Sequence, residues 1–192
     1  MKLRNLLLPS LLAASMLVTA CESVTHENLD KWANTQKGPG KLMDALKSNE
    51  ESAEIRAHAA QVLIYLERFA DVKEVLAEID DDKRHKIVAE LTERLWTIAR
   101  VNKELDIPTR NQSNAKDAIF YTMEFADSAT KEKMADYVIE WFVGGLYEAR
   151  AKSGRVSGAL AIREIGGQAG KRLLNSTKAI VNTPPDAAGK RT

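Results

Sequence analysis

The sequence predicts an all-α fold, and three observations carry that reading. Apolar residues recur at spacings of three and four from Leu42 to Val181. No stretch alternates apolar and polar residues over the length of a strand. The breaks between apolar runs hold Gly, Pro, Asp and Ser, which cap or end helices. Aromatic residues make up 6% of the chain and charged residues 29%, which fits a soluble helical domain rather than a membrane-embedded one.

The first segment reads as an address. Lys2 and Arg4 form a basic start, and Leu6 to Val18 is apolar apart from Pro9, Ser10 and Ser15. Small residues follow in Leu17-Val18-Thr19-Ala20-Cys21, as a secretory cleavage site requires. The apolar run is shorter than the roughly 20 residues of a spanning helix, and Pro9 interrupts it. Val18, Thr19, Ala20 and Cys21 resemble the four positions of a bacterial lipobox. That resemblance implies cleavage between Ala20 and Cys21 and a thioether-linked diacylglycerol on Cys21. It also implies that Cys21 becomes the mature N-terminus and is then N-acylated. The alternatives are a free thiol past an ordinary signal peptide and an uncleaved membrane anchor. The chain holds 1 cysteine, so an intramolecular disulfide and a Cys-rich metal site are both excluded. A lone cysteine capped by lipid suits an oxidising compartment. Glu22 stands where aspartate signals inner-membrane retention in enteric lipoproteins, so the resemblance implies the outer membrane.

Residues 21–31 read as the lipidated cysteine and a polar tether, with a reach of about 30 Å when extended. The helical domain spans 32–182. Trp32 opens its first ordered segment, and Gly38-Pro39-Gly40 breaks it. Lys41 to Lys47 resumes as a short helix with Leu42, Met43 and Leu46 apolar. Ser52 caps a helix whose stripe is Ile55, Ala59, Val62, Leu63 and Leu66. A second run holds Val72, Val75, Leu76 and Ile79. Asp80-Asp81-Asp82 separates it from a long helix with Ile87, Val88, Leu91, Leu95 and Ile98, which is expected to stop near Ile107-Pro108. Thr109 to Ser113 reads as a loop, with Ser113 or Asn114 capping a helix from Ala115 to about Phe125. Asp127-Ser128 turns the chain into a helix bearing Met134, Tyr137, Val138, Trp141 and Phe142. Lys152-Ser153-Gly154-Arg155 is a turn before a final pair with Leu160, Ile162 and Ile165, then Leu173, Leu174, Ile180 and Val181. Residues 183–192 have nothing to bury and read as a disordered tail.

Three stretches overlay as small residues followed by an apolar stripe: those beginning at Ala59, Ala118 and Ala159. The last two starts are 41 residues apart, within the roughly 40–47 residues of a two-helix solenoid repeat. The first two are 59 apart, so the long helix between them is an irregular insertion. Ser52 to Leu66 resembles the opening helix of a HEAT repeat, where an exposed arginine, here Arg56, follows a buried aliphatic residue. Ile165 to Leu174 resembles the turn and second helix of such a unit. The family's glycine turn is missing at Phe69-Ala70-Asp71. The resemblance implies an irregular HEAT-like α-solenoid of antiparallel helix pairs; the alternative is an irregular helical bundle.

Charge is nearly balanced, at 28 basic and 27 acidic residues. Without Lys2 and Arg4 the mature chain holds 26 and 27, which gives no argument for a nucleic-acid partner. Residues 155–192 nevertheless carry seven basic and two acidic side chains. Arg163, Lys171, Arg172 and Lys178 form a candidate basic contact face for anionic head groups or an acidic partner; the alternative is a solvated face.

Motifs for catalysis are missing. His26, His58 and His85 lie 32 and 27 residues apart and share no ligand motif, so no metal site is expected. Gly166 to Arg172 has the wrong spacing for a phosphate loop, and no strand precedes it. Asp80-Asp81-Asp82 lacks the alternation of a calcium loop. No serine stands in a Gly-x-Ser-x-Gly elbow. The expectation is a non-enzymatic, cofactor-free adaptor, anchored to the membrane through Cys21 and bound to an envelope protein or polymer. The alternative is a lipoprotein that binds a small ligand or lipid.

Overall fold

The computed structural model describes residues 23–100, 107–144, 147–182 and 184. Within them the chain forms ten α-helices, one 3-10 turn and no strand, so the fold is all-α. Ala20, Cys21 and nearly all of the 183–192 tail lie outside the described residues.

The first helix, α1 (His26–Trp32), lies in the stretch read as tether. Thr25 caps it, its hydroxyl accepting from the Asn28 N–H at 3.2 Å. Leu29 and Trp32, three residues apart, share one face and are both buried. The polar tether expected over 21–31 is thus corrected: two apolar residues among charges suffice to dock one short amphipathic turn. The next correction is at Gly38-Pro39-Gly40, which opens α2 (Gly38–Lys47) instead of breaking a helix. Pro39 suits a first turn, where its missing N–H would go unpaired anyway. Gly38 is required by close approach, since a Cβ there would lie 1.7 Å from the Trp32 carbonyl oxygen.

Ser52 caps α3 (Ala53–Tyr65), as the sequence predicts, through the Ile55 N–H at 3.2 Å. Burial runs around most of α3, from Arg56 to Ala60 and from Val62 to Ile64, so it is a central helix rather than a one-striped one. Arg56, expected to be exposed, is 3% accessible, and its Nε donates to the Leu46 carbonyl at 2.8 Å. The turn into α4 (Phe69–Glu78) is closed without glycine. Glu67 takes φ +61°, Arg68 N–H donates to Leu63 O at 2.9 Å and Glu67 N–H to Ile64 O at 3.0 Å. These are the paired bonds of a Schellman cap.

Asp80 caps α5 (Asp81–Ala99), which buries Ile87, Val88, Leu91, Leu95, Trp96 and Ala99. It ends at Ala99, well before the expected Ile107-Pro108. Arg100 has already left the helical region, with ψ 112°. The next helix, α6 (Arg110–Thr122), starts earlier than expected because Thr109, not Ser113 or Asn114, caps it. Gln112 N–H donates to Thr109 Oγ1 at 3.3 Å while Thr109 N–H donates to Gln112 Oε1 at 2.8 Å, a full capping box. A 3-10 turn (Met123–Phe125) leads to α7 (Ser128–Val143), capped by Asp127. Then follow α8 (Tyr147–Ala151), α9 (Gly158–Ile165) and α10 (Gly167–Asn182).

Packing links helices near one another in the chain, with α4 on α2 and α3 rather than on α5. α1 lies on α2 and α3, α3 on α5, α5 on α6 and α7, and α10 on α7 and α9. One core runs through these helices, from Leu42 and Leu46 through Leu63, Leu91 and Leu95 to Trp141 and Leu173. Trp32, Trp96 and Trp141 are all core residues.

The loop before α9 is held by α6. Lys116, 1% accessible, donates from Nζ to Val156 O at 2.7 Å and Ser153 O at 3.1 Å. Asp117 accepts from the Val156 N–H at 3.0 Å and from the Arg155 N–H. Gly154 has φ +78°, and a Cβ on it would lie 2.7 Å from the Asp117 carboxylate. This clamp fixes where the α9–α10 hairpin meets α7.

Candidate functional site

The clamped hairpin and α7 border a groove. Met123, Ala135 and Ile165 form its apolar lining, and Lys131, Glu132 and Arg172 its charged rim. Its volume is about 540 Å³. A second recess of about 350 Å³ shares Met123, Lys131 and Ile165 and continues to Phe120 and Leu160. Both are surface grooves, and no histidine or cysteine lines either. The lining thus offers apolar surface on the floor and charged groups at the rim.

The four basic residues singled out in the sequence lie on this hairpin, but they do not form one free cationic face. Arg163, on α9, pairs with its neighbour Glu164 at 2.7 Å. Arg172 reaches across the groove to Asp136 of α7 at 2.7 Å. Lys171 and Lys178 are exposed and, seven residues apart on α10, share one side of that helix. They form no ion pair among the described residues. Two of the four charges are therefore already compensated, and the positive stripe is Lys171 and Lys178.

A second constellation joins residues that the sequence left unrelated. His58, 7% accessible, and His26 approach with their Nδ1 atoms 2.7 Å apart. His58 Nε2 faces Asp30 Oδ1 at 2.9 Å, and His26 Nε2 faces Glu54 Oε1 at 3.2 Å. Arg94 of α5 lies 3.4 Å from the same Glu54 oxygen. Desolvation pulls His58 below its ordinary value, assisted by the positive charge of Arg94 and opposed by Asp30. The 32-residue separation of the histidines hid the pair. The usable signal was Leu29 and Trp32 behind a capping Thr25, which docks α1 and brings His26 and Asp30 onto α3.

Comparisons of the chain with protein-family models, curated proteins and solved structures find no match.

Proposed function

We propose that the chain is a lipid-anchored adaptor of the bacterial cell envelope that binds a partner through its C-terminal hairpin. The observation that carries this reading is Val18-Thr19-Ala20-Cys21, a lipobox-like sequence directly before a helical domain. Four residues separate Cys21 from His26 at the start of α1. Even fully extended they reach only about 14 Å, so the lipid would hold the domain close to the head groups. Two or three acyl chains make such an anchor stable where one is marginal. Glu22 favours the outer membrane.

The order of packing supports a HEAT-like stack, because each helix rests on near neighbours in the chain. It also supports an adaptor. The anchored segment leads into α1, on α2 and α3, whereas the groove and the Lys171–Lys178 stripe belong to α10, on α7 and α9. The anchor and the contact surface thus belong to different parts of the array. The openness of the grooves favours a macromolecular partner, an envelope protein or polymer, over an enclosed small cargo.

The test is fractionation of cells expressing wild type and Cys21→Ala. Wild type sediments with membranes, and the variant is released. A photo-crosslinker at Lys131 then yields a discrete adduct from native membranes. Equal membrane association of both proteins overturns the anchor, and loss of no adduct on Ile165→Asp overturns the groove as contact surface.

A further inference from the structure

The proton inventory of the His26–His58 pair does not close with two neutral rings. Both Nε2 atoms face carboxylates, Asp30 at 2.9 Å and Glu54 at 3.2 Å. Asp30 accepts a hydrogen bond from His58 Nε2, and the Glu54 carboxylate at ion-pair distance favours a hydrogen on His26 Nε2 as well. A neutral imidazole with its hydrogen on Nε2 has a bare lone pair on Nδ1. The two Nδ1 atoms are 2.7 Å apart, a hydrogen-bond distance. Two lone pairs at that separation repel, and one additional proton turns the repulsion into an N–H···N bond.

We propose that His26 and His58 share one proton, and that this singly charged pair is a pH-sensitive latch holding α1 on α3. Three hydrogens on four ring nitrogens satisfy all three contacts. Loss of the shared proton to water at alkaline pH leaves two opposed lone pairs. Uptake of a further proton from water at acid pH leaves two N–H groups facing each other. The charged groups around the pair are Asp30 from α1, Glu54 from α3 and Arg94 from α5. From α2, Lys41 lies over the Trp32 ring and Lys47 pairs with Glu78. The two carboxylates favour the first extra proton. Arg94 and the burial of His58 oppose the second.

The latch stands on the geometry of α1 and α3 alone. One consequence rests on the lipid anchor proposed above: releasing α1 would lengthen the spacer after Cys21 from four residues to the sixteen before α2, raising its reach from about 14 to about 56 Å.

The experiment is amide hydrogen exchange of α1 in the full mature chain, followed from about pH 5 to about pH 9 and corrected for intrinsic rates. Protection of the Leu29 and Ala33 amides is expected to peak near neutrality and fall about tenfold on each side. Glu54→Gln is the discriminating variant. Its amide can donate to His26 Nε2, which moves that ring's own hydrogen to Nδ1 and removes the need for the shared proton. The alkaline fall should vanish in Glu54→Gln while the acid fall remains. A flat wild-type profile, an unchanged profile in Glu54→Gln, or a stoichiometric metal ion between the rings would each overturn the proposal.

Discussion

Lys116 and Asp117, adjacent on α6, are ion-paired at 2.6 Å and together hold the backbone of residues 153–156. Burial lowers the Lys116 ammonium below its ordinary range, and Asp117 opposes that shift. Three oxygen atoms surround the ammonium, from Asp117, Ser153 and Val156. Lys116→Met removes one partner and strands the other. It should destabilise the fold by about 3–5 kcal/mol in urea denaturation. Gly154→Ala attacks the same clamp from the loop and should cost about 1–3 kcal/mol, because it adds both a left-handed alanine and a clash with Asp117. Unchanged midpoints in both variants would contradict the clamp.

Glu67 supplies the opposite case, a position the chain fills suboptimally. It sits at the left-handed residue of the α3 Schellman cap, and its exposed carboxylate pairs with Arg110. Glu67→Gly relieves the backbone and loses a surface pair of small worth. The variant should gain about 1 kcal/mol in thermal denaturation; destabilisation would show that the ion pair outweighs the turn.

The capping box makes a third prediction. Thr109→Ala leaves the Gln112 N–H without its side-chain acceptor and should cost about 1 kcal/mol. Exchange should rise first at the amides of the α6 first turn.

Acid sensitivity follows from His58. Burial holds its folded value below the ordinary 6.5. As pH falls below the ordinary value, the unfolded chain takes a proton on each histidine while the folded pair, already holding one, refuses the second, so stability is lost on the acid side. The urea midpoint should be lower near pH 5 than near pH 7, and His58→Gln should shrink that difference. An equal difference in the variant would assign the acid sensitivity to other groups.

Much of this fold was legible in the residues. Ser52, Asp80 and Asp127 cap where their chemistry says they should, and the stripes of α4, α5 and α7 are buried except for the half-buried Ile79, Ile98 and Tyr137. What was missed follows a pattern. Gly38-Pro39-Gly40 is ambiguous, since the same residues end one helix or begin the next. Thr109 and Gln112 carried a readable capping box, obscured by the polar residues after it. Glu67 lacks the glycine that usually marks its turn. At the site, the sequence located the basic hairpin but not the pairing of Arg172 with Asp136, which depends on how α10 packs on α7. The His26–His58 pair is a long-range contact between unremarkable residues. No local pattern encodes it until α1 is known to dock.

The proposed location depends on the lipid at Cys21, which intact mass measurement of the membrane-extracted protein reads out. The expected mass is that of a chain beginning at Cys21 with a diacylglycerol and an amide-linked acyl group. An unmodified thiol at Cys21, or a chain still holding residues 1–20, would contradict it.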